Sequence, residues 1–477
     1  MNLTTVALLA GLLGQVGPQN VLEAKMRALF VPGGLTADDV ARRAKDTSRE
    51  LEGRRAALDG AQSQLTSARA GFIPRVSGGI AYTRLSEITP PVLGLGDEGR
   101  FLVTTGPAGP LGNRPVFAAG DISFPVYLDN YVLRAGLVVP ISDYLLRTVQ
   151  QVQSAEQSSV VAQLEARVAQ LKAANDGRLA YFAWVRARGQ QVVARQTLEQ
   201  SRSRADDIKR AFDVGSGSRA DVLRAESLVE QARLLLARTD NLAGLTEQQL
   251  RLVMRAPESE PLAIASHDFD ALAPVVSTED FEGLVSRAAQ ARLELKSLDA
   301  TRLALEAQRR STYATVAPRL DATGNLLYAN PNQRFIPGDG KWHFTWDLGV
   351  ALSWQPTDLV AGLAQVNATD ARVRQTRAQL QAIEEALRVE VKQAVLSLQE
   401  TEVALESTRK AQASAEEGYR VRQELFTNGR STAVEVIDAE TELTRARLEA
   451  LNAQIDARIA RVRLDHAVGD DVAREAP

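Results

Sequence analysis

The sequence predicts a mainly helical protein with membrane β-strands. One chain would contribute four strands to an oligomeric transmembrane β-barrel, together with long coiled-coil helices that form a helical tunnel, in two internal structural repeats. Three observations predict this class. Two proline-free runs of more than a hundred residues have helical periodicity, three of the four tryptophans fall in one alternating segment, and the halves of the chain repeat each other.

The alternating segment is 341–354, KWHFTWDLGVALSW. Its odd positions are polar or small, whereas its even positions are all apolar: Trp342, Phe344, Trp346, Leu348, Val350, Leu352 and Trp354. A period of two predicts a strand with one apolar face. Aliphatic residues in the middle with tryptophans towards the ends are typical of lipid-facing barrel strands. Taken alone, the segment fits a half-buried strand of a soluble sandwich equally well.

The internal repeat decides between these two interpretations. At an offset of 215, the alternating residues 131–139 lie over 346–354. Earlier in each half, PRVSGGIAY (74–82) matches PRLDATGNL (318–326), again with one apolar face. Strands are therefore predicted over about 74–85, 130–140, 318–328 and 342–354. Four duplicated strands with one apolar face each are hard to explain as a soluble sandwich. We expect the membrane aromatic girdle to contain Tyr131, Trp342, Trp346 and Trp354.

The two proline-free runs predict long helical hairpins. Both are rich in good helix formers, and apolar residues recur at three- and four-residue spacing, as in Leu380, Ile383, Leu387, Val391, Val395 and Leu398. Helix-start signals at Ser142–Asp143 and Thr357–Asp358 place the hairpins at 143–256 and 358–468. Glycine-containing turns place their tips near 215 and 429. Shorter helices are predicted over 36–72 and 279–313, so the repeats span 36–256 and 279–468.

The remaining segments connect or flank the repeats. Residues 1–20 are expected to be a signal peptide, because an apolar run of suitable length begins near Val6. No Lys or Arg precedes Lys25, so a disordered leader or a misassigned start is the alternative. Residues 257–278 are expected to link the repeats, and 469–477 to form a C-terminal tail. The Gly- and Pro-rich stretch 86–130 suits an extracellular loop.

Composition excludes several other classes of function. A net charge of −3 without basic clusters gives no reason to expect a nucleic-acid partner. The chain has no cysteine, and its three histidines, His267, His343 and His466, lie far apart and outside any motif. GSGS at 215–218 lacks the preceding strand and the following Lys of a phosphate loop. We therefore expect neither catalytic residues nor a metal or cofactor.

Four strands cannot close a barrel by themselves. Open strand edges in hydrocarbon would leave backbone groups unpaired, at a cost of several kcal/mol each, so a membrane barrel requires oligomerisation. Two copies would give eight strands around a filled interior, and three would give twelve around an aqueous lumen. The non-lipid face favours the wet lumen, because its residues are small or polar: Gly79, Gly136, Thr323, Asn325 and Ser353.

Over residues 36–468 the chain resembles the TolC-type outer-membrane efflux proteins. Strands ending in LVVPISD and LSWQPTD carry the resemblance, as do the tip motifs DVGSGSRADVLRAE and TNGRSTAVEVIDAE. The resemblance implies a homotrimer with one twelve-stranded barrel in the outer-membrane lipid and a helical tunnel in the periplasm. It also implies a passive exit duct of a tripartite efflux or type I secretion system. Such a duct docks to a periplasmic adaptor and, through it, serves an inner-membrane pump.

The resemblance also assigns roles at the tips. Glu435 and Asp438 fall on the positions of acidic residues that ring the closed aperture, although solvated helix-face acids are the plainer interpretation. Gly215 and Gly429 match the glycines presented to the adaptor, and Asp221 matches an aspartate of the links that hold the tips shut. Its expected Tyr and Arg partners are replaced by Phe426 and Ser431. Those links are therefore expected to be absent or differently made.

A soluble coiled-coil scaffold without a barrel is the main alternative. It accounts for the long helices as well as the channel does. It does not account for four duplicated alternating strands, for tryptophans at the ends of 342–354, or for the long stretch 86–130.

Overall fold

The computed structural model describes residues 18–88, 92–93, 122–123, 126–215, 217–265, 280–336 and 338–474. Most of the predicted signal peptide (1–20), of the loop 86–130 and of the linker 257–278 lies outside these residues. Two compact units are present. One comprises 62–157 and 303–374, and the other comprises residues up to 61, 158–302 and 375 onward. Each unit therefore contains segments of both sequence repeats.

The described strands are mostly antiparallel. In chain order they are β1 (Phe30–Val31), β2 (Arg75–Arg84), β3 (Val92–Leu93), β4 (Ile122–Ser123), β5 (Asp129–Pro140), β6 (Ile264–Ala265), β7 (Arg319–Asn330) and β8 (His343–Ser353). The four long strands form one antiparallel sheet in the order β2-β5-β7-β8. Each repeat supplies two neighbouring strands of this sheet. All four strands lie in the unit that comprises 62–157 and 303–374.

The described helices account for most of the chain. In order they are α1 (Pro18–Arg27), α2 (Ala37–Thr47), α3 (Arg49–Ala70), α4 (Val149–Asp213), α5 (Arg219–Met254), α6 (Phe281–Ala291), α7 (Leu293–Ala314), α8 (Asp358–Thr427), α9 (Ala433–Val468) and α10 (Asp470–Arg474). A helical turn (Ile141–Asp143) and a π-helical segment (Tyr144–Thr148) precede α4. None of the described helices contains a window apolar enough to cross a membrane.

The helix that precedes the first strand of each repeat is interrupted once. The single helix expected over 36–72 is α2, of 11 residues, and α3, of 22, with Ser48 between them at ψ 120°. The one expected over 279–313 is α6 and α7, again of 11 and 22 residues, with Arg292 between them at ψ 121°. The Ser48 hydroxyl accepts the Leu51 amide at 3.2 Å, as an N-cap residue does. A one-residue break barely shifts the apolar periodicity, so the sequence pattern did not indicate it.

Two apolar clusters form most of the core of the helical unit. The first joins α2, α4, α5 and β6 through Val40, Tyr181, Trp184, Leu250, Met254 and Ile264. Its tyrosine is buried with its hydroxyl satisfied, since Tyr181 donates to the Leu35 carbonyl at 2.9 Å. The second joins α6 to the distal part of the second hairpin through Leu284, Ala288, Leu387, Val391, Leu464 and Val468. The segment expected to be a tail contains α10, and Asp471 bonds His466 at 2.6 Å.

Close packing of α2 on α4 requires a glycine. A Cβ atom at Gly177 would lie 3.0 Å from Ala44 Cβ and 3.2 Å from Ala41 Cα, whereas one at Gly244 of α5 would meet nothing within 4 Å. Gly177→Leu should therefore lower the free energy of unfolding by about 1–3 kcal/mol. Gly244→Leu, the matched control, should raise it by up to about 1 kcal/mol through helix propensity.

Thermal unfolding of the purified protein, followed by circular dichroism in detergent, measures both changes. Equal shifts in the melting temperature for the two variants would show that α2 does not pack at this glycine.

Candidate functional site

The two helical hairpins end in turns of the same geometry. Gly215 and Gly429 have φ angles of 79° and 66°, in the region that favours glycine. Their amides donate to the carbonyls of Phe212 and Phe426, each at 2.9 Å. A Cβ atom at either glycine would meet no described atom within 4 Å. Backbone conformation, and not lack of space, is what requires glycine here.

The returning helix of each hairpin begins with a side-chain cap. Ser218 and Asp221 form a capping box at the start of α5, in which the Asp221 carboxylate accepts from the Ser218 amide and hydroxyl. At the start of α9, Thr432 accepts the Glu435 amide at 3.3 Å, but the Glu435 carboxylate accepts from the Ser431 hydroxyl at 2.6 Å. That bond, with further bonds to Thr432, holds the pKa of Glu435 below its usual value against the opposing effect of burial.

The two tips pack against each other. Ile208 and Val222 of the first hairpin form one apolar cluster with Ala433 and Ile437 of the second, and Phe426 covers its edge. Phe426 also packs on a neighbouring cluster that contains Tyr419 and Leu443. The Phe426 side chain therefore packs between two apolar clusters of the tip.

One exposed ion pair joins the tips. Arg224 of α5 donates to Asp438 of α9 at 3.1 Å, with 49% and 63% of the two side chains exposed. The residues occupy equivalent positions of the two repeats, six residues after the caps Ser218 and Thr432. An exposed pair of this kind contributes about 0–1 kcal/mol, so it can break at little cost.

The predicted tip residues are thus brought into one region, but neither Phe426 nor Ser431 bonds to Asp221 among the described contacts. Asp221 bonds within the first hairpin and Ser431 within the second, and Phe426 makes apolar contacts. Glu435 and Asp438 lie one turn apart on α9, each with its own partner.

A buried polar network begins at Glu440, two residues after Asp438 on α9. Glu440 is 2% exposed and accepts from the Ser201 hydroxyl of α4 at 2.8 Å. Its second carboxylate oxygen is buried and has no hydrogen-bond partner among the described residues. Burial raises the pKa of Glu440, although the Ser201 bond and the charge of Arg204 oppose the shift.

Two arginines connect this network to the first helix of the second hairpin. Arg204 of α4 donates to the Tyr419 hydroxyl of α8 at 3.0 Å, and both side chains are buried. Arg447 of α9 lies with Nε 3.6 Å from a Glu416 carboxylate oxygen of α8, an ion pair longer than a hydrogen bond. The sequence analysis missed these residues. The sequence did contain one indication, because Glu440 lies at three-residue spacing between the apolar Ile437 and Leu443 and so falls on the buried face of the helix.

In the other unit, the four-stranded sheet exposes an apolar face. Ile80, Leu348 and Val350 are 84%, 78% and 71% exposed, values far above those of a soluble core strand. Aromatic rings continue across one end of this face: Tyr82 contacts Tyr131, Tyr131 contacts Trp342, and Trp342 stacks on Tyr328 at 4.9 Å between centroids.

The predicted aromatic residues occupy both ends of the same face. Tyr131 and Trp342 lie in the aromatic run, and Trp346 follows on β8, two same-face positions after Trp342. Trp354 lies just beyond the opposite end of β8, where its indole donates to the Val316 carbonyl at 3.3 Å.

Long helical hairpins and a four-stranded antiparallel sheet with an exposed, aromatic-edged apolar face define the outer-membrane channel class. The profile of the outer membrane efflux protein family matches residues 40–254 and 284–470. The chain belongs to this family. No curated protein sequence matches the chain.

Solved structures show the same fold. One is CusC, whose crystal structures concern conformational changes that accompany folding and transmembrane channel formation. It is 15% identical to this chain with a TM-score of 0.73, and the match covers 92% of this chain and 93% of CusC. The outer membrane protein VceC from Vibrio cholerae is 18% identical with a TM-score of 0.71, over 91% and 96%. The MtrE outer membrane channel of Neisseria gonorrhoeae is 16% identical with a TM-score of 0.71, over 91% and 88%. The fold class predicted from the sequence is confirmed.

The raised pKa of Glu440 predicts a pH dependence of stability. A carboxyl that binds its proton more tightly in the folded state contributes stability at low pH, and this contribution is lost as pH rises through the folded pKa. Glu440→Gln keeps an oxygen for Ser201 and removes the buried charge. The variant should exceed the wild type in unfolding free energy by about 1 kcal/mol at pH 8, and the difference should shrink towards pH 5.

Melting temperatures across this pH range test the expectation. Glu449→Gln is the control, because Glu449 is exposed and its one partner among the described residues is the neighbouring Arg445. A Glu440→Gln variant with the same pH slope as the wild type would contradict it.

Proposed function

We propose that this protein is the outer-membrane exit duct of a tripartite efflux or type I secretion system. Three chains form a passive channel that exports small molecules or proteins when it is docked to a periplasmic adaptor and, through it, to an inner-membrane pump. The four strands lie in the outer membrane and the helical hairpins in the periplasm. The observation that carries the proposal is the exposed apolar face of the sheet, together with its two outer edges, which pair with no other described strand.

The edges are β2 and β8, the outer strands in the order β2-β5-β7-β8. Neither outer edge pairs with another described strand. A sheet that faces lipid must pair its edges, because hydrocarbon supplies no hydrogen-bonding groups. In a soluble scaffold the large apolar face of the same sheet would be exposed to water. In an outer-membrane channel this face contacts lipid instead.

The number of strands allows closure by identical copies. An even number of antiparallel strands leaves β2 and β8 running in opposite directions, so β8 of one chain can pair antiparallel with β2 of the next. Three copies of a four-stranded sheet give twelve strands. The polar face, lined by Gly79, Gly136 and Asn325, then surrounds a wet lumen.

The aromatic residues and the tips then take distinct roles. Tyr131, Trp342, Trp346 and Trp354 lie at the two membrane interfaces, where amphipathic rings are favoured. The exposed backbone at Gly215 and Gly429 offers the adaptor a docking surface. The capping box of Ser218 and Asp221 lies close to it in sequence.

At the tip, Glu435 and Asp438 ring the aperture. Three copies bring together six carboxylates, which attract divalent cations. Phe426 and Ser431 stand where the resemblance expects partners of Asp221, so the tips are held instead by apolar packing and by the Arg224–Asp438 pair.

Cysteine cross-linking between chains tests the trimer, since the native chain has no cysteine. Gly79→Cys on β2 is combined with one cysteine on the polar face of β8, at each of these positions in turn: Thr345, Asp347, Gly349, Ala351 and Ser353. Paired antiparallel strands bring Cα atoms within disulfide reach, so one register should give a covalent trimer at three times 51.7 kDa.

Non-reducing electrophoresis of outer-membrane fractions measures the product, and the single-cysteine variants are the controls. Species no larger than a dimer, or no cross-link at any register, would rule out the trimeric barrel.

The aperture is tested by divalent block of channel conductance in planar bilayers. Glu435→Ala with Asp438→Ala should weaken block by Mg²⁺ on the tip side several-fold, because the carboxylates that attract the cation are gone. Arg224→Ala should strengthen block, since it frees Asp438 from its ion pair. Glu449→Ala on the same helix is the matched control. Unchanged block in the double variant would remove these residues from the aperture.

A further inference from the structure

The polar face of the four-stranded sheet carries an arginine near its middle. In the strand register Gly79 of β2 pairs with Arg134 of β5, Arg134 pairs with Leu327 of β7, and Leu327 pairs with Thr345 of β8. Leu133 and Ala135, on either side of Arg134 in sequence, belong to the apolar face. Because side chains alternate along a strand, Arg134 lies on the opposite, polar face.

Most other charges on this face are neutralised locally. The Asp347 carboxylate accepts from Asn325 at 2.8 Å and from Arg334 at 2.6 Å. Arg319 pairs with Asp321 at 3.1 Å. Within the described part of the chain, the Arg134 side chain forms neither a hydrogen bond nor an ion pair. Arg75, on the same face at the start of β2, likewise has no such partner there and adds to the same sign of charge.

The surroundings of Arg134 leave its guanidinium accessible. Its cross-strand neighbour on β2 is Gly79, where even an added Cβ atom would meet nothing within 4 Å. Its neighbour on β7, Leu327, is apolar and cannot accept a hydrogen bond. Arg134 is itself exposed. The five N–H donors of the guanidinium are therefore exposed on the polar side of the sheet, where no described side chain bonds to them.

Closure of the barrel brings three such arginines to one level. Twelve strands about 4.8 Å apart, tilted by about 40°, close a ring about 24 Å across. Arginines that extend inward from this wall hold their charges within about 8 Å of the axis, roughly one Debye length at physiological ionic strength. Their potentials therefore add at the axis, and by symmetry all three lie at the same height.

We propose that Arg134 forms an anion-binding ring inside the barrel, which takes multivalent anions of the phosphate class. Arginine suits this ligand, because its planar donors match phosphate oxygens and remain charged at every physiological pH. The inference rests on the proposed trimeric barrel and adds a second selectivity element, opposite in sign to the acidic tip residues. A cargo bearing phosphates would be favoured at this level of the duct, and a cationic cargo would be disfavoured.

Isothermal titration calorimetry of the detergent-solubilised trimer with inorganic triphosphate tests the ring. The wild type should bind one triphosphate for every three chains, with an affinity that falls as salt increases. Arg134→Gln should weaken binding at least about tenfold, because three charge-assisted contacts are lost together. Arg134→Lys keeps the charge and should retain most of the affinity.

A matched control removes charges from the same face without changing its net charge. Arg334→Gln combined with Asp347→Asn eliminates a neutral pair and should leave triphosphate binding unchanged. Loss of binding in this control as large as in Arg134→Gln would show a general effect of the polar face and overturn the assignment.

Channel block gives a second measurement on the same variants. Triphosphate added on the barrel side should reduce the current of the wild type, and the half-blocking concentration should rise about tenfold in Arg134→Gln. A cross-linked trimer that binds no triphosphate, or binds it equally well without Arg134, would overturn the anion ring and leave the exit duct standing. Failure to form the trimer at all would instead overturn the proposed function.

Discussion

The hydrogen-bonding capacity of two strand edges constrains the rest of this protein. β2 and β8 end a sheet with an exposed apolar face, and neither outer edge pairs with another described strand. In lipid, the N–H and C=O groups of these edges would need partners. In the trimer that we propose, strands from further copies satisfy both requirements together. The strict alternation of side chains, the aromatic residues at the ends of the apolar face and the need for several copies all follow from this one requirement. A single chain with four such strands therefore cannot close a barrel by itself.

Duplication gives the chain two sets of equivalent positions, and their chemistry has diverged. The interrupted helices have 11 and 22 residues in both repeats, and the returning helices α5 and α9 both have 36. At the tips, however, Asp221 closes a capping box, while its counterpart Glu435 bonds to Ser431. Arg224 and Asp438 are counterparts of opposite charge, and only for that reason can they pair between the hairpins.

Electrostatic contacts near the tips fall into two kinds. The Arg224–Asp438 pair is exposed, so water competes for both charges and the pair contributes little to stability. The network of Ser201, Glu440 and the neighbouring Arg204 is buried, where breaking one contact leaves a polar group without a partner. The exposed pair can therefore exchange partners at low cost, while the buried contact of Glu440, two residues further along α9, keeps α4 and α9 joined.

The sequence alone determined the features that depend on local periodicity. Residue spacing predicts the alternation at 342–354, the proline-free hairpins, the glycine turns at 215 and 429, and the duplication. It does so because the geometry of strands, helices and turns depends on a few neighbouring residues. Tertiary structure decided what depends on contacts between distant segments. The breaks at Ser48 and Arg292, the burial of Glu440 against Ser201, and the pairing of Arg224 with Asp438 have weak or no local patterns. The two contacts arise because packing brings together residues more than two hundred positions apart, and spacing along one chain does not contain that information.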